Sequence, residues 1–278
     1  MFDICSFIRN FAPFLRNMKA KQVFDALEQY APLPLQDSYD NAGLQIGLTE
    51  EQEVTGALLC LDVTEAIIDE AERMGCNLVV AHHPLLFRGL KSITGQSYVE
   101  RCVIKAIQKG IGIYAAHTNL DNAEGGVNYR IAEKIGLKKL SFLETKIAST
   151  PAGSGIIGEL ETEEDERNFL ERVKVLFGIR CLRHNAFCGR TIRRVALCGG
   201  AGGFLLPNAI AQGADAFLTG EMRYHDYFGH EDEILIAEMG HYESEQYTID
   251  LLAEVLSRRF PELKIVKTTL NTNPINYL

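Results

Sequence analysis

The fold is indicated most clearly by residues 57–84, ALLCLDVTEAIIDEAERMGCNLVVAHHP, in which two apolar runs flank a segment with helical spacing. The elements predicted from this stretch are a strand at Ala57–Leu61, a helix at Thr64–Arg73 and a strand at Leu78–Ala81. A strand, a helix and a strand in this order are typical of a βαβ unit. The unit ends in the adjacent pair His82 and His83, at the sheet edge where α/β proteins collect functional groups.

The same alternation of strand and helix patterns continues along the chain. The further predicted elements are strands at Gly112–Ala116, Gly155–Leu160, Val195–Cys198, Ala216–Thr219 and Ile234–Ala237, and helices at Val127–Ile135, Glu163–Leu176, Phe204–Gln212 and Glu243–Arg258. We therefore predict an α/β fold of two similar halves whose mixed or parallel sheets pack around a central cleft. The predicted halves are residues 18–144 and 191–278, joined by a short connecting segment at 145–190. For residues 1–17 we expect a short amphipathic helix, in a segment that is either an N-terminal extension or the product of an upstream initiation.

The composition is that of a compact globular protein. Apolar residues make up 46% and charged residues 23% of the chain, which excludes a disordered or fibrous class. The formal net charge of -9 argues against an extended electrostatic interface with nucleic acid. The N-terminal segment is too charged for a membrane span. The seven cysteines form no C-x-x-C pair and cannot all pair within the chain, so we expect reduced thiols and a cytoplasmic location.

Histidines occur mainly at the ends of predicted strands. Of the seven histidines, five, at 82, 83, 117, 225 and 241, fall at such an end or just after it. Taken alone, His82 and His83 are equally well explained as one buried and one exposed histidine. His241 and Glu245 suit the solvated start of a helix, and Asp121 suits an ordinary turn. The coincidence of these clusters at strand ends favours a shared metal site.

The side-chain types in these clusters favour a centre of two divalent ions. Imidazole and carboxylate ligands select divalent ions such as zinc, iron or manganese. These clusters contain no thiolate that would indicate a structural zinc site. In this hypothesis Glu245 bridges the ions, and the terminal ligands are His82, His83, Asp121 and His241. Two cations about 3.5–4 Å apart would polarise a substrate oxygen and activate water near neutral pH. His117 or His225 would then transfer protons, with a role in holding a ligand carboxylate as the equal alternative for both.

A glycine run at Cys198–Gly203 follows a predicted strand and opens a predicted helix. Its backbone amides could cradle an anion at the start of that helix. The run matches neither G-x-G-x-x-G nor the P-loop, because no Gly-Lys-Ser/Thr follows. We therefore interpret it as a tight turn.

Several sequence motifs together resemble the GTP cyclohydrolase I type 2, or Nif-three-like, family. These motifs are Asp40–Gly47, His82–Pro84, His117–Asp121 with Gly125–Asn128, Gly220-Glu221 with His225, and Gly240-His241 with Glu245. The resemblance implies two like α/β domains with a dinuclear metal centre between them. The metal positions that it implies are His82, His83, Asp121, His241 and Glu245. It also implies a toroidal homohexamer whose sites face an internal cavity, and it places Asp40 and Asn41 near the pocket as candidate substrate contacts.

Two features depart from the pattern of this family. Tyr39 stands where the family commonly has tryptophan, which changes the expected pocket wall. The short stretch Thr145–Arg190 lacks the extra domain that longer members carry.

The resemblance implies a metal-dependent hydrolase acting on a small molecule. The family name suggests GTP as the substrate, with hydrolytic opening at C8 of the purine ring. One alternative is a non-catalytic metal-binding protein that acts as a regulatory or interaction ring. The other is a nucleotide-phosphate hydrolase, which would release phosphate and leave the purine ring intact.

Overall fold

Two β-sheets form the framework of the structure, a computed structural model that describes residues 18–47, 49–146 and 151–278. The helix expected within residues 1–17 lies outside these ranges. In chain order the strands are β1 (Gly43–Ile46), β2 (Ala57–Cys60), β3 (Leu78–Ala81), β4 (Gly112–Ala115), β5 (Lys138–Thr145), β6 (Gly153–Asp165), β7 (Arg183–His184), β8 (Thr191–Cys198), β9 (Ala216–Thr219), β10 (Leu235–Glu238) and β11 (Ile265–Lys267).

Both sheets have parallel central strands, with an antiparallel edge on one side of the first sheet and on both sides of the second. The first sheet is ordered β1-β4-β3-β2-β11, with β1 antiparallel to β4 and the other neighbours parallel. The second is ordered β5-β6-β8-β9-β10-β7, with β8, β9 and β10 parallel and the other neighbours antiparallel. The predicted α/β class with two mixed sheets is therefore confirmed.

Helices pack on both faces of the parallel strands. In chain order they are α1 (Ala20–Tyr30), α2 (Glu65–Arg73), α3 (Tyr98–Lys109), α4 (Thr118–Asp121), α5 (Val127–Ile135), α6 (Glu166–Phe177), α7 (Leu206–Ala211), α8 (His241–Glu245) and α9 (Thr248–Arg259). Over the described ranges, no helix has the length and apolar character that crossing a bilayer requires.

The largest hydrophobic core lies between the two sheets. It joins Val80 of β3 and Leu197 of β8 to Leu252 of α9. Two smaller clusters cover the opposite faces, one with Ile68 of α2 and the other with Ala209 of α7. Strands that are buried on both faces read as continuous apolar runs, so their ends are marked clearly in the sequence. The bounds predicted for β3 and β9 are accordingly confirmed.

The predicted helix at Glu243–Arg258 is divided in the structure, so the prediction of one continuous helix is wrong. The side chains of Gln246 and Tyr247, which lie between α8 and α9, donate hydrogen bonds to the carbonyls of Phe177 and Leu176 at the end of α6. These contacts satisfy carbonyl groups that a helix end leaves unpaired, and the chain turns to make them. The division places Glu245 at the end of a short helix that faces the cleft.

The sheets do not follow the predicted segments of the chain. β5 and β6 belong to the second sheet together with β8–β10, and the segment expected to connect the halves contributes to that sheet. β11, which comes from the second predicted half, pairs with β2 at the edge of the first sheet. The chain after β11 then returns to the cleft, where Thr272 donates a hydrogen bond to Asp62 at 2.7 Å.

Candidate metal centre

Side chains that follow the parallel strands of both sheets line one cavity of about 490 Å³. The side chains contributed in this way are Asp62 after β2, His83 after β3, His117 after β4, Glu221 after β9 and His241 after β10. The carboxyl ends of parallel strands lie at one edge of a sheet, so the topology explains why residues distant in sequence meet here. The cavity has the size of a small-molecule site.

His82, Asp121 and Glu245 form the first group of possible metal ligands, here termed the buried triad. Nε2 of His82 lies 3.6 Å from Oδ1 of Asp121 and 3.7 Å from Oε1 of Glu245. Nδ1 of His82 donates a hydrogen bond to the carbonyl of Ala116 at 2.8 Å, which leaves Nε2 as an acceptor. Nε2 of His82 and Oδ1 of Asp121 are buried and have no hydrogen-bond partner among the described residues. A cation between them would satisfy both atoms, so the residues fit a metal ion.

His83, His241 and Glu245 form the second group, here termed the histidine triad. Oε2 of Glu245 lies 3.0 Å from Nε2 of His83 and 3.1 Å from Nε2 of His241. Nδ1 of His83 pairs with Asp62 and Nδ1 of His241 pairs with Glu221, each at 2.7 Å. Such pairing places the ring proton on Nδ1 and directs the lone pair of Nε2 at the other ligands, as in carboxylate–histidine–metal arrangements. The converging acceptor atoms require a cation, which can be a metal ion or added protons.

Glu245 is common to both triads, and each of its oxygens faces one of them. Oε1 faces His82, Oε2 faces His83 and His241, and the residue is only 4% exposed. The structure thus brings together the five side chains that the sequence indicated as ligands, and the groups can hold a metal ion.

The glycine run allows Glu245 to occupy its position. A Cβ atom at Gly200, whose φ is +57°, would lie 2.3 Å from Oε1 of Glu245. Three amides of this run are already used, because Gly199, Gly200 and Gly202 donate to the side chains of Asn128, Ser244 and Thr219 respectively. The run therefore forms a turn against the metal ligands, and these amides are not free to cradle a phosphate.

His117 lies beside the triads and is oriented by Asp40. Nδ1 of His117 pairs with Oδ1 of Asp40 at 2.7 Å, and its ring reaches within 4.8 Å of nitrogen atoms of His82 and His83. The Asp40 side chain is fully buried and also accepts a hydrogen bond from the Thr118 amide. Burial raises the pKa of this carboxyl, but hydrogen bonds from His117 and Thr118 outweigh that effect and lower the pKa to about 2. We therefore interpret Asp40 as a residue that positions His117.

Two other predicted site residues lie apart from the triads. Asn41 donates its side-chain amide to the carbonyl of Leu86 and is outside the set that lines the cavity. His225 is exposed, contacts the rings of Tyr224 and Phe228, and is likewise outside that set. The substrate role expected for Asn41 and the proton-transfer role expected for His225 stay predictions.

Asp62 and Thr272 are site residues that the sequence reasoning missed. Asp62 directly follows a predicted strand, so the rule that identified His82 would also have found it. Thr272 binds Oδ2 of Asp62 from a segment with no helix or strand pattern, and no local signal marks that contact.

We predict that Asp62→Asn weakens metal binding at the histidine triad and leaves the buried triad loaded. The substitution removes the charge that holds Nδ1–H of His83, and loss of such an outer partner typically costs about 10- to 100-fold in metal affinity. Metal content after dialysis against graded chelator concentrations measures this. Asp69→Asn, at an exposed position of α2, is the matched control. Equal loss from both triads would contradict the assignment.

We predict that protein prepared with a chelator loses stability as the pH rises from about 6.5 to 10. Burial lowers the pKa of His83, but hydrogen bonds with Asp62 and Glu245 prevail and raise it to about 10. Burial also lowers the pKa of His241, but hydrogen bonds with Glu245 and Glu221 prevail and raise it to about 9. A raised folded-state pKa gives stabilisation that is complete below the unfolded value and is lost as the pH passes the folded value.

Melting temperatures between pH 6.5 and 10, with and without added zinc, measure this effect. Bound metal replaces the protons on Nε2, so we expect a smaller decrease in the zinc-loaded protein. The same decrease in both preparations would show that these histidines are not its source.

Comparison with known proteins gives a consistent result. The model of the Duf34/NIF3 (NGG1p interacting factor 3) family matches residues 18–274. A protein of Clostridium perfringens called GTP cyclohydrolase 1 type 2 homolog is 33% identical over 243 residues, covering 87% of this chain and 92% of that protein. A protein of the same name from Lactococcus lactis is 34% identical over 265 residues, covering 92% and 98%. The crystal structure of a hypothetical protein of Staphylococcus aureus matches with a TM-score of 0.86 at 28% identity, covering 94% of this chain and 99% of that one.

Proposed function

We propose that this chain, which belongs to the Duf34/NIF3 (NGG1p interacting factor 3) family, is a dinuclear metal-dependent hydrolase. The observation that carries the proposal is the shared position of Glu245, whose two oxygens face two different sets of ligands. Zinc, iron and manganese are the ions that imidazole and carboxylate ligands suit. Two relatives are called GTP cyclohydrolase 1 type 2 homolog, so GTP is the first substrate to test.

The number of donors favours an enzyme over a structural metal site. Each triad offers three side chains, whereas a closed structural zinc site has four. A three-donor position that adjoins an open cavity leaves room for water or substrate. This observation favours hydrolysis over the non-catalytic regulatory ring.

We also propose the homohexamer as the assembly, which sedimentation analysis of the purified protein tests.

The residues around the triads can bind and orient a substrate and can transfer protons. Two divalent ions, when bound, supply Lewis-acid polarisation and make water nucleophilic near neutral pH. Asp40 holds the proton of His117 on Nδ1, so Nε2 of that ring can accept a proton during attack and return it to the leaving atom. Hydrolysis adds one water across the bond that breaks, and this transfer needs no oxidant or further reactant.

We predict that His117→Gln and Asp40→Asn lower kcat by about 100-fold or more, the range in which a positioned general base contributes. The first variant removes the proton acceptor, and the second removes the charge that fixes its tautomer. His117 also stands with His82 and His83 in a third possible ligand group, so Asp40→Asn, which keeps all three imidazoles, is the variant expected to hold its metal content near that of the wild type. Kinetics together with metal analysis measure this, and a change in KM alone would contradict the role.

The function is tested by elemental analysis of the purified protein followed by chromatography of GTP incubations with each candidate metal. Opening of the purine ring changes the ultraviolet spectrum of the base, whereas release of phosphate leaves that spectrum unchanged. The ultraviolet spectrum of the product therefore distinguishes a cyclohydrolase from a nucleotide-phosphate hydrolase. If GTP remains intact with every metal, the GTP assignment is wrong and the metal centre is still to be judged from the metal content.

A further inference from the structure

Aromatic side chains are exposed on the walls of the cavity that contains the triads. Tyr39 is 62% exposed and Phe87 is 42% exposed, and their rings meet edge to face at 6.2 Å. Phe87 also meets the ring of His117 at 6.1 Å. Phe204, which follows the glycine run of the second half, is 58% exposed and lines the same cavity. Large apolar rings that remain exposed inside a concave site mark a surface for an apolar ligand.

The charges around this cavity do not favour a polyphosphate. Among the described residues that line it, none is lysine or arginine and five are aspartate or glutamate. One of these, Asp37, is paired with Lys146. The other four are Asp62, Asp121, Glu221 and Glu245. Their carboxylates match the four positive charges of two divalent ions, so a loaded centre has no surplus positive charge.

Three backbone amides at the glycine run are not free to compensate for the missing cations. Sites for nucleoside triphosphates commonly combine free amides at a helix start with a lysine or arginine that reaches the phosphates. Here three amides of the run already donate to protein side chains. A triphosphate in the cavity would meet carboxylates and aromatic rings.

We infer that the cavity takes an uncharged planar aromatic heterocycle, as a free base or nucleoside, and discriminates against the corresponding triphosphate. The aromatic walls supply stacking surfaces that accept any base. Residues of both triads line the same cavity. The inference rests on the proposed function, because that function assigns a reaction to the triads. It concerns binding, so it is tested separately from turnover.

The experiment compares guanosine, GMP and GTP by isothermal titration into full-length protein that is loaded with zinc and freed of excess ion. We expect guanosine to bind at least about 10-fold more tightly than GTP, because the phosphates add negative charge to a cavity whose loaded centre has no surplus positive charge. Inorganic triphosphate serves as the control for chelation, and metal content is measured after each titration.

Variants locate the binding surface. Phe204→Ala and Phe87→Ala should each weaken guanosine binding by about 10-fold through the loss of one stacking face. Tyr98→Ala removes a similarly exposed ring that lies outside the cavity lining and should change nothing. Ile275→Lys places a cation on the wall and should strengthen GTP binding several-fold while leaving guanosine unchanged.

The outcomes distinguish this inference from the proposed function. Equal or tighter binding of GTP, no binding of any of the three compounds, or equal effects of Phe204→Ala and Tyr98→Ala would each overturn the inference. Guanosine binding without any ring product would support the inference and count against the hydrolase. Faster turnover of GTP than of guanosine would support the hydrolase and count against the inference.

Discussion

Glu245→Ala is expected to remove bound metal from both triads. The carboxylate has one oxygen facing His82 and the other facing His83 and His241, so its loss takes a ligand from each group at once. Loss of a direct ligand should exceed the about 10- to 100-fold effect of losing an outer partner. We therefore expect the metal content after dialysis to fall from the proposed two ions per chain towards none, with loss of any hydrolytic activity.

Glu243→Ala is the matched control for this variant. Glu243 lies on the same short helix and is also buried, but its carboxylate accepts a hydrogen bond from Asn273 and belongs to neither triad. We expect this variant to keep its metal. Retention of both ions by Glu245→Ala would show that the bridging assignment is wrong, and loss of a single ion would limit Glu245 to one triad.

Gly200→Ala is expected to destabilise the fold and to impair metal binding together. The backbone at Gly200 has a φ of +57°, a conformation that costs an L-residue about 1–2 kcal/mol. The added Cβ would also lie 2.3 Å from Oε1 of Glu245, so this carboxylate would have to move away from its ligand position. Urea unfolding measures the first effect and metal content after dialysis the second.

Gly178→Ala separates the two causes. Gly178 has a similar φ of +65°, but a Cβ there would have no heavy atom within 4 Å. This variant should lose about 1–2 kcal/mol through backbone strain alone and should bind metal normally. If Gly200→Ala behaves in the same way as Gly178→Ala, contact with Glu245 does not explain the glycine.

The sequence predicted those parts of the fold that are governed by local patterns. β3 and β9 are buried on both faces, so their ends coincide with the ends of apolar runs. The division between α8 and α9 was missed because it depends on contacts with the carbonyls of Leu176 and Phe177, some 70 residues earlier in the chain. Periodicity within one segment contains no information about such a contact.

The candidate site shows the same limit. Residues such as His83 and His241 were identified because each stands at a strand end, and the topology then brings those ends together. The pairing of His117 with Asp40 and the contact between Thr272 and Asp62 join positions 77 and 210 residues apart. Neither contact has a signature in composition or spacing.

The position of β11 has a consequence for how the chain is made. The first sheet receives this edge strand only after the whole second sheet has been synthesised, since β11 follows β10. Until then β2, whose residues Leu58 and Leu59 are fully buried in the finished protein, presents an open hydrogen-bonding edge on the nascent polypeptide. The ribosome must therefore synthesise the chain as far as β11 before the first sheet can reach its native state, and a chaperone that shields β2 would protect it from aggregation in that interval.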